Sequence, residues 1–580
     1  MKRKLLIAIV TALGMNLSSY ALQTQTNVQV KKETVLDEFK LYDEEGKLLR
    51  TNRDSTGKEG IVAASKYEAS KIGADIIKKG GNAVDAAVAT AFALSVCEPH
   101  SSGLGGGGFM TLRIAETGEV IFIDFREIAP KNATPKMWVL DDKGKVIGKQ
   151  KTDGGKASGI PGEVAGLLYL LEKYGTMSRN EVLQPAIDLA TNGYTVSPTL
   201  AEVLKETYDT MIEFPEITKI YWKDGSFPYE TGDIIKNPDL AKTLSIIQEK
   251  GADGFYKGEV AEAIVNSVNK YDGLFTLEDL AEYKVSVRKP IVGNYRGYEI
   301  ISSPPPSSGG AHLIQILNIL ENYDIGSLEV NSPEYLHLFS EAFKLAYADR
   351  SKYMGDTDFV KVPLGGITSK SYAKNIINKI DLTKANTHEP HNPWQYEHED
   401  TTHFSIADKA GNMVAVTKTI NGYFGSGVCV DGYGIIMNDE MDDFVTGPGH
   451  ANSVEPGKKP LSSMTPTLIL KNGNPFMVLG TPGGAKIFAT VAQVLSKVID
   501  HNMDIQDAIS APRIWDNTSA EINYESRLNP EYIYKLQEMG HKVNSNGEWG
   551  SGSVQGIVYM PDGTLRGGAD PRRDGKALGL

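Results

Sequence analysis

Cysteine is nearly absent: the 580 residues hold two, Cys97 and Cys429. Two thiols cannot build a disulfide scaffold or a cysteine-rich zinc site. They either pair with each other, in an oxidising compartment, or remain buried and free. Excess positive charge is missing too. Lys and Arg number 60 against 73 Asp and Glu, a net charge of −13. No basic patch stands out, which argues against a nucleic-acid partner held through its phosphates. No apolar run is long enough to span a bilayer stably. The G-x-S-x-G elbow and the P-loop pattern are both missing, which removes the simplest signs of an α/β-hydrolase or a nucleotide phosphoryl transferase.

What is present is ordinary in bulk. Hydrophobic residues make up 41% and charged residues 23%, as in globular proteins. The length calls for one large or two intimate domains. The start reads as an export signal. Lys2, Arg3 and Lys4 precede the short apolar run Leu5 to Leu13, and Ser19-Tyr20-Ala21 is a small-x-small exit. Residues 1–21 are therefore expected to be removed, and the protein to be periplasmic or secreted.

The remaining chain mixes helix and strand. Gly60 to Ala64 reads as a strand, and Ser65-Lys66-Tyr67-Glu68 fits a capping box opening a helix. Asn82 caps a second helix with Val84, Ala87, Val88, Ala91 and Leu94 on one face. Two strands follow, over 109–114 and 120–125. The stretch 160–300 is mostly helical, with Thr276 and Asp279 as a start signal. A Pro/Ser/Gly loop at 302–310 precedes helices over 312–323 and 333–347. Residues 386–400 are polar and rich in His and Glu, an exposed linker of the kind proteases cut. Beyond Asp400 the texture turns to β. Strands are expected over 401–407, 413–419, 434–437, 467–470 and 475–479, and a helix from Thr481-Pro482-Gly483-Gly484 to about Ile499.

Two patterns mislead. Gly103-Leu104-Gly105-Gly106-Gly107-Gly108 matches G-x-G-x-x-G, but a helix precedes it and a strand follows, the reverse of a dinucleotide fingerprint. Glycines for close packing are the better reading. His388, His391, His398 and His403 cluster in sequence, and His398-Glu399-Asp400-Thr401-Thr402-His403 resembles H-E-x-x-H with one residue too many. A solvated linker is expected there, and no metal.

Thr401 is of greater interest. A threonine hydroxyl needs a base beside it, and one solution is to cut the preceding bond so that its own α-amine takes the proton. Asp400-Thr401 lies where the polar segment meets a strand, a suitable place for such a cut. Taken alone, Thr401-Thr402 could equally be two strand formers.

The ordered set of motifs is more specific. Gly81-Asn82-Ala83-Val84-Asp85-Ala86-Ala87, Glu98-Pro99-His100-Ser101-Ser102-Gly103 and Asp124-Phe125-Arg126-Glu127 come first. Pro304 to Gly310, Tyr347-Ala348-Asp349-Arg350, Thr401-Thr402-His403-Phe404-Ser405 and Met441-Asp442-Asp443-Phe444 follow. Leu461-Ser462-Ser463-Met464, Thr481-Pro482-Gly483-Gly484 and Asp570-Pro571-Arg572-Arg573 complete the series. In this order the chain resembles the γ-glutamyltransferase (γ-glutamyltranspeptidase) family of N-terminal nucleophile hydrolases.

The resemblance implies an α+β fold, a four-layer αββα sandwich built by two chains of one precursor. The large chain would run over 22–400 and the small one over 401–580, the precursor cutting itself between Asp400 and Thr401. It implies Thr401 as nucleophile, Thr419 as its hydrogen-bond partner, and Gly483 and Gly484 as the oxyanion hole. Arg126, Ser462 and Ser463 would hold the donor's α-carboxylate, and Asn421, Glu440 and Asp443 its α-ammonium. Donors would be glutathione and other γ-glutamyl compounds, and acceptors water, amino acids or dipeptides. No cofactor is implied. The two chains would form a heterodimer, with no nucleic-acid partner.

Two departures stand out. Glu440 occupies a position where some bacterial relatives have Gln. The stretch Val445 to Pro460 is compact and carries no tyrosine, so an open cleft is expected, able to admit poly-γ-glutamate. A poly-γ-glutamate depolymerase or acylase on the same fold, and an uncut γ-glutamyl-binding protein, are the alternatives.

Overall fold

The computed structural model describes residues 40–49, 53–388, 400–517, 521–550 and 552–580. Residues 1–21, read above as an expected export signal, and His391 and His398 lie outside the described residues. Two seven-stranded antiparallel sheets form the centre. The first runs, edge to edge, through Lys576–Gly579, Gly60–Ala64, Asp400–Asp408, Met413–Asn421, Gly107–Arg113, Val120–Asp124 and Ser286–Arg288. The second runs through Ser55–Gly57, Leu565–Ala569, Gln555–Tyr559, Asn474–Gly480, Thr467–Lys471, Tyr298–Ser302 and Ile291–Tyr295.

Side chains alternate between the faces of each strand, as the pleat requires. In the strand Asp400–Asp408, Phe404 and Ile406 join the helix-facing core, while Ala407 joins Leu468, Val478 and Ile557 between the sheets. Helices Tyr67–Lys78 and Ala83–Cys97 cover the outer face of the first sheet. Helices Gly309–Leu320, Pro333–Tyr353 and Ile487–Ile499 cover that of the second. The layers are therefore αββα, as expected. Among the described residues no helix is long and apolar enough to cross a membrane.

Local grammar explains several elements. Asn82 Oδ1 accepts from the N–H groups of Val84 and Asp85 at 2.8 and 3.0 Å, and the Asp85 carboxylate takes the Asn82 N–H at 2.9 Å. Thr276 and Asp279 repeat this reciprocal cap. Ser65 does not cap. The helix starts at Tyr67 behind Lys66, with no side-chain cap. The Ser65 hydroxyl instead donates to Glu98 and meets the Thr402 hydroxyl at 2.7 Å. Residues 434–437 make only single bridges, Cys429 to Ile436 and Gly105 to Met437, rather than a strand.

The glycine run serves close packing. A Cβ on Gly106 would lie 2.0 Å from the Thr419 carbonyl oxygen, and one on Gly105 2.1 Å from that of Ile436. Cys97 and Cys429 are buried and free. Burial pushes both thiols up, which leaves them poor nucleophiles. The histidine cluster is not a uniformly solvated linker. His403 is buried between Thr417 Oγ1 at 2.9 Å and Ser405 Oγ at 3.1 Å. His388 is buried against Glu341.

Lys497, in the helix Ile487–Ile499, is fully buried, and its Nζ has no hydrogen-bond partner. Burial, followed by Arg513 and Arg572, pushes its ammonium down to about 7. The unfolded chain holds this proton up to a pH of about 10.5. This group's contribution to stability should therefore rise with pH from about 7 to that value. Lys497→Met is expected to stabilise the fold by about 2–4 kcal/mol near pH 6 and by progressively less towards pH 10. Thermal melts across that range check this; a variant no more stable than wild type near pH 6 would count against it.

Candidate active site

Thr401 stands near the start of a central strand of the first sheet. The register there slips: Asp400 pairs with Asn421, but Thr402 pairs with Lys418, leaving an extra residue on the neighbouring strand. Such a bulge re-aims side chains and terminates pairing. The Thr401 hydroxyl lies 3.4 Å from Thr419 Oγ1, which accepts the Asn421 N–H at 2.7 Å. All three residues are buried. Asn421 has φ of 72°, a conformation that asparagine tolerates better than most residues. Its amide donates to the Asp439 carbonyl at 3.2 Å, and the Asp439 carboxylate takes the Gly422 N–H at 2.7 Å.

Asp439 leads into the 3₁₀ turn Glu440–Asp443. Both ends of that turn reach Arg126, which emerges just after the strand Val120–Asp124. One guanidinium nitrogen pairs with Glu440 and the other with Asp443, while Glu127 lies 3.8 Å away. The sequence reading assigned Arg126 and the Glu440/Asp443 pair to opposite ends of a substrate. In the uncut chain they are bonded directly to each other. Burial works against the charge of Arg126, but Glu440, Asp443 and Glu127 together hold its pKa above the ordinary value. Burial pushes Glu127 up to about 8, and also raises Glu440 and Asp439 well above the carboxylate range. Glu440 Oε2 is buried with no hydrogen-bond partner. The cluster is thus rich in carboxylate around a single cation, Arg126.

Arg126 also donates to the Leu461 carbonyl at 3.3 Å, which brings Ser462 and Ser463 alongside. Ser462 is held by the 302–310 loop: its carbonyl accepts from the Ser308 N–H and hydroxyl, both at 2.8 Å. Arg350 fixes the next residue, donating to Ser463 Oγ at 2.7 Å and to Ser308 Oγ at 2.9 Å. The compact stretch after Asp443 closes through Asn452. Its amide donates to the Asp443 carbonyl at 2.6 Å, and its Oδ1 accepts the Leu461 N–H at 3.0 Å.

Gly483 and Gly484 follow the strand Asn474–Gly480, which faces Thr401's strand across the sandwich. A Cβ on Gly480 would meet the His403 ring at 2.4 Å. The turn is anchored by Thr481 Oγ1, which accepts the Ser553 N–H at 2.8 Å. Gly483 and Gly484 have φ of 128° and 54°, where glycine pays no steric penalty. A 3₁₀ turn, Gly484–Lys486, intervenes before the α-helix begins at Ile487.

Three residues near the site had no role assigned from sequence. Arg573 donates to the Thr401 carbonyl at 2.7 Å. Glu98 accepts from Thr402 Oγ1 at 2.6 Å and lies 3.4 Å from Arg573. Arg350 holds Ser463. Each belongs to a motif quoted above, so the signal was the motif and not the isolated residue.

A threonine at the start of a central strand in an αββα sandwich is the arrangement of the N-terminal nucleophile hydrolases. Within that class, the chain belongs to the γ-glutamyltranspeptidase family, whose pattern it matches over residues 69–580. It is 45% identical over 530 residues to the glutathione hydrolase proenzyme of Escherichia coli K12, covering 89% of this chain and 90% of that one. The glutathione hydrolase proenzyme of Bacillus subtilis 168 is 40% identical over 543 residues, covering 90% and 92%. Among solved structures, a cephalosporin acylase from Bacillus halodurans superposes with a TM-score of 0.83 at 30% identity, covering 93% of this chain and 99% of that one. A Helicobacter pylori γ-glutamyltranspeptidase chain gives 0.55 at 46% identity, covering 58% and 96%.

Proposed function

We propose that Thr401 is the nucleophile of a γ-glutamyltransferase and glutathione hydrolase, freed by a self-cut of the Asp400–Thr401 bond. The observation that carries this is the continuous buried track from Thr401 through Thr419 and Asn421 to Glu440, Asp443 and Arg126. In the precursor, Thr401 Oγ attacks the Asp400 carbonyl carbon and the peptide bond becomes an ester. Water then hydrolyses the ester, leaving a carboxylate on Asp400 and a free α-amine on Thr401. Arg573, on the Thr401 carbonyl, and Glu98, on the Thr402 hydroxyl, hold the backbone in place for this attack. The exported precursor thus becomes a heterodimer of 22–400 and 401–580.

In the mature enzyme the donor exchanges charge for charge with the Arg126 pairs. Its α-carboxylate takes the guanidinium, with Ser462 and Ser463 as further donors. Its α-ammonium takes over Glu440, Asp443 and the Asn421 side-chain oxygen. The γ-carbonyl then lies over Thr401 Oγ. The hydroxyl loses its proton to the α-amine and attacks, and the oxyanion is held by the N–H groups of Gly483 and Gly484. The leaving amine, cysteinylglycine from glutathione, takes the proton as the C–N bond breaks. The γ-glutamyl ester on Thr401 passes to water, giving glutamate, or to the amine of an amino acid or dipeptide.

The test is product analysis on glutathione and on a glutaryl amide, which lacks the α-ammonium. Glutathione should give glutamate and cysteinylglycine in equal amounts, and a γ-glutamyl dipeptide product when glycylglycine is added. The glutaryl amide should be turned over about 100-fold less efficiently or worse, because the buried carboxylates would remain unpaired. Equal kcat/KM values on the two would make this an acylase instead. Because the 445–460 stretch closes on itself through Asn452, γ-linked oligoglutamates should also be cleaved. Turnover of glutathione alone would mean that the cleft is closed.

A further inference from the structure

A second cluster of ionisable side chains lies away from this chemistry. His337 and Glu341 stand at i and i+4 on the helix Pro333–Tyr353, so both face the same way. Facing them is His541, in the turn between the helix Pro530–Glu538 and the strand Lys542–Ser545. Donor atoms of the three side chains lie within 4.8 Å of one another, and all three residues are buried. His337 Nδ1 and His541 Nε2 are 2.7 Å apart. A further donor, His388 Nε2, lies 2.9 Å from Glu341 Oε2 and is also buried; it stands outside the 4.8 Å set and must close on the ion to ligate it.

The proton positions follow from the partners. His337 Nε2 is 2.7 Å from the Asp381 carbonyl oxygen, which can only accept. Nε2 therefore carries the proton, and Nδ1 turns a lone pair towards His541. A ring nitrogen backed by a carbonyl in this way is the usual outer-shell arrangement of a metal-binding histidine. Lys344 occupies the other carboxylate oxygen, Glu341 Oε1, and also donates to the Asn386 carbonyl at 2.7 Å. Asp516 lies 4.0 Å from Lys344. Glu341 Oε2 thus remains on the histidine side.

We propose that His337, Glu341 and His541, with His388 as fourth ligand, form a binding site for a divalent transition-metal ion of the zinc class. Three imidazoles and one carboxylate suit such an ion, which prefers four tetrahedral ligands. Bonds of about 2.0–2.1 Å would hold two ring nitrogens roughly 3.3 Å apart, so His337 and His541 must part by about half an ångström. Gly540, at φ of 93°, gives the turn before His541 a pivot.

The site is structural. Arg350, on the same helix, reaches Ser463, and a rise of about 1.5 Å per residue puts it about 20 Å along the helix from His337. The ligands divide between the two sides of the proposed cut: His337, Glu341 and His388 precede Asp400, and His541 follows Thr401. On that reading, on which only this role depends, the ion clasps the tail of the large chain to the small one.

The experiment uses untagged, chelator-dialysed protein titrated with Co²⁺ and then Zn²⁺. One Co²⁺ per protomer should bind with the strong visible bands of a four-coordinate ion, and Zn²⁺ should displace it. His541→Gln and Glu341→Gln should each weaken binding by about 100-fold or more, at or above the upper end of what loss of an outer-shell partner costs. A His391→Ala/His398→Ala variant should bind as wild type. X-ray absorption on the wild-type ion, which needs no variant to fold, should show imidazole scattering. Weak or multiple binding to wild type, undiminished binding to His541→Gln, loss of binding in the His391/His398 variant, or a spectrum without imidazole would each overturn the proposal. Glutathione turnover is read separately and should survive metal removal.

Discussion

Thr401→Ala is expected to leave one uncut chain and to lower glutathione turnover by about 10⁵-fold or more, as loss of a nucleophile does elsewhere. Denaturing mass spectrometry should find two chains in the wild type, the smaller beginning at Thr401, and one in the variant. Thr401→Ser keeps a hydroxyl at the same place and should still cut. Among the described residues, the Thr401 side chain makes one long hydrogen bond, to Thr419, and its carbonyl takes the Arg573 bond. Thr401→Ala keeps the carbonyl bond, so the fold should survive and the effect should be read as chemistry. A wild type that stays in one chain while hydrolysing glutathione would remove the α-amine from the mechanism.

The second large effect is expected at Arg126. Arg126→Lys should raise KM for glutathione by about 100-fold or more with a smaller change in kcat, since a lysine cannot grip a carboxylate at two points. Self-cutting should persist, because Arg126 makes no bond to Thr401. Removing the positive charge altogether is a harsher change. Arg126→Gln would leave Glu440 and Asp443 buried without their partner and should cost about 3–5 kcal/mol of stability. Glu440→Gln supplies the control: it keeps the shape, removes one carboxylate, and should partly restore the stability lost in Arg126→Gln. A KM for Arg126→Lys within about threefold of wild type would move carboxylate recognition elsewhere.

The legibility of the sequence varied with how local each cause was. The cap at Asn82 and Asp85, like that at Thr276 and Asp279, is made by residues three apart, so a short window contains the whole reason for it. Ser65 to Glu68 has the same spelling but no cap, because Glu98 and Thr402, distant in sequence, claim the Ser65 hydroxyl. His388 and His403 looked solvated among polar neighbours. Each is buried by a partner no local window contains: Glu341 for one, the facing Gly480 for the other. The sandwich was readable, and Thr401 could be proposed as the nucleophile, because ten motifs recur in a fixed order. Their geometry was not: the direct pairing of Arg126 with Glu440 and Asp443 arises only when positions 126 and 440 meet. The same holds for Arg573, which stands far along the chain from the residue it supports.

The strand order has one more consequence. The strand beginning at Asp400 lies between Gly60–Ala64 and Met413–Asn421, and Lys576–Gly579 closes the edge beyond Gly60–Ala64. Residues from both sides of a 400/401 cut thus interleave in the first sheet, and also in the second, where Tyr298–Ser302 pairs with Thr467–Lys471. A cut at 400/401 would leave these strand pairings to hold the two chains together, yet it would change how the molecule can be remade. An uncut precursor refolds alone, at a rate independent of dilution. The mature pair, once unravelled, must find its mate again, so its recovery falls with protein concentration. On the proposed cut, maturation would turn a reversible fold into one that persists chiefly because it opens slowly.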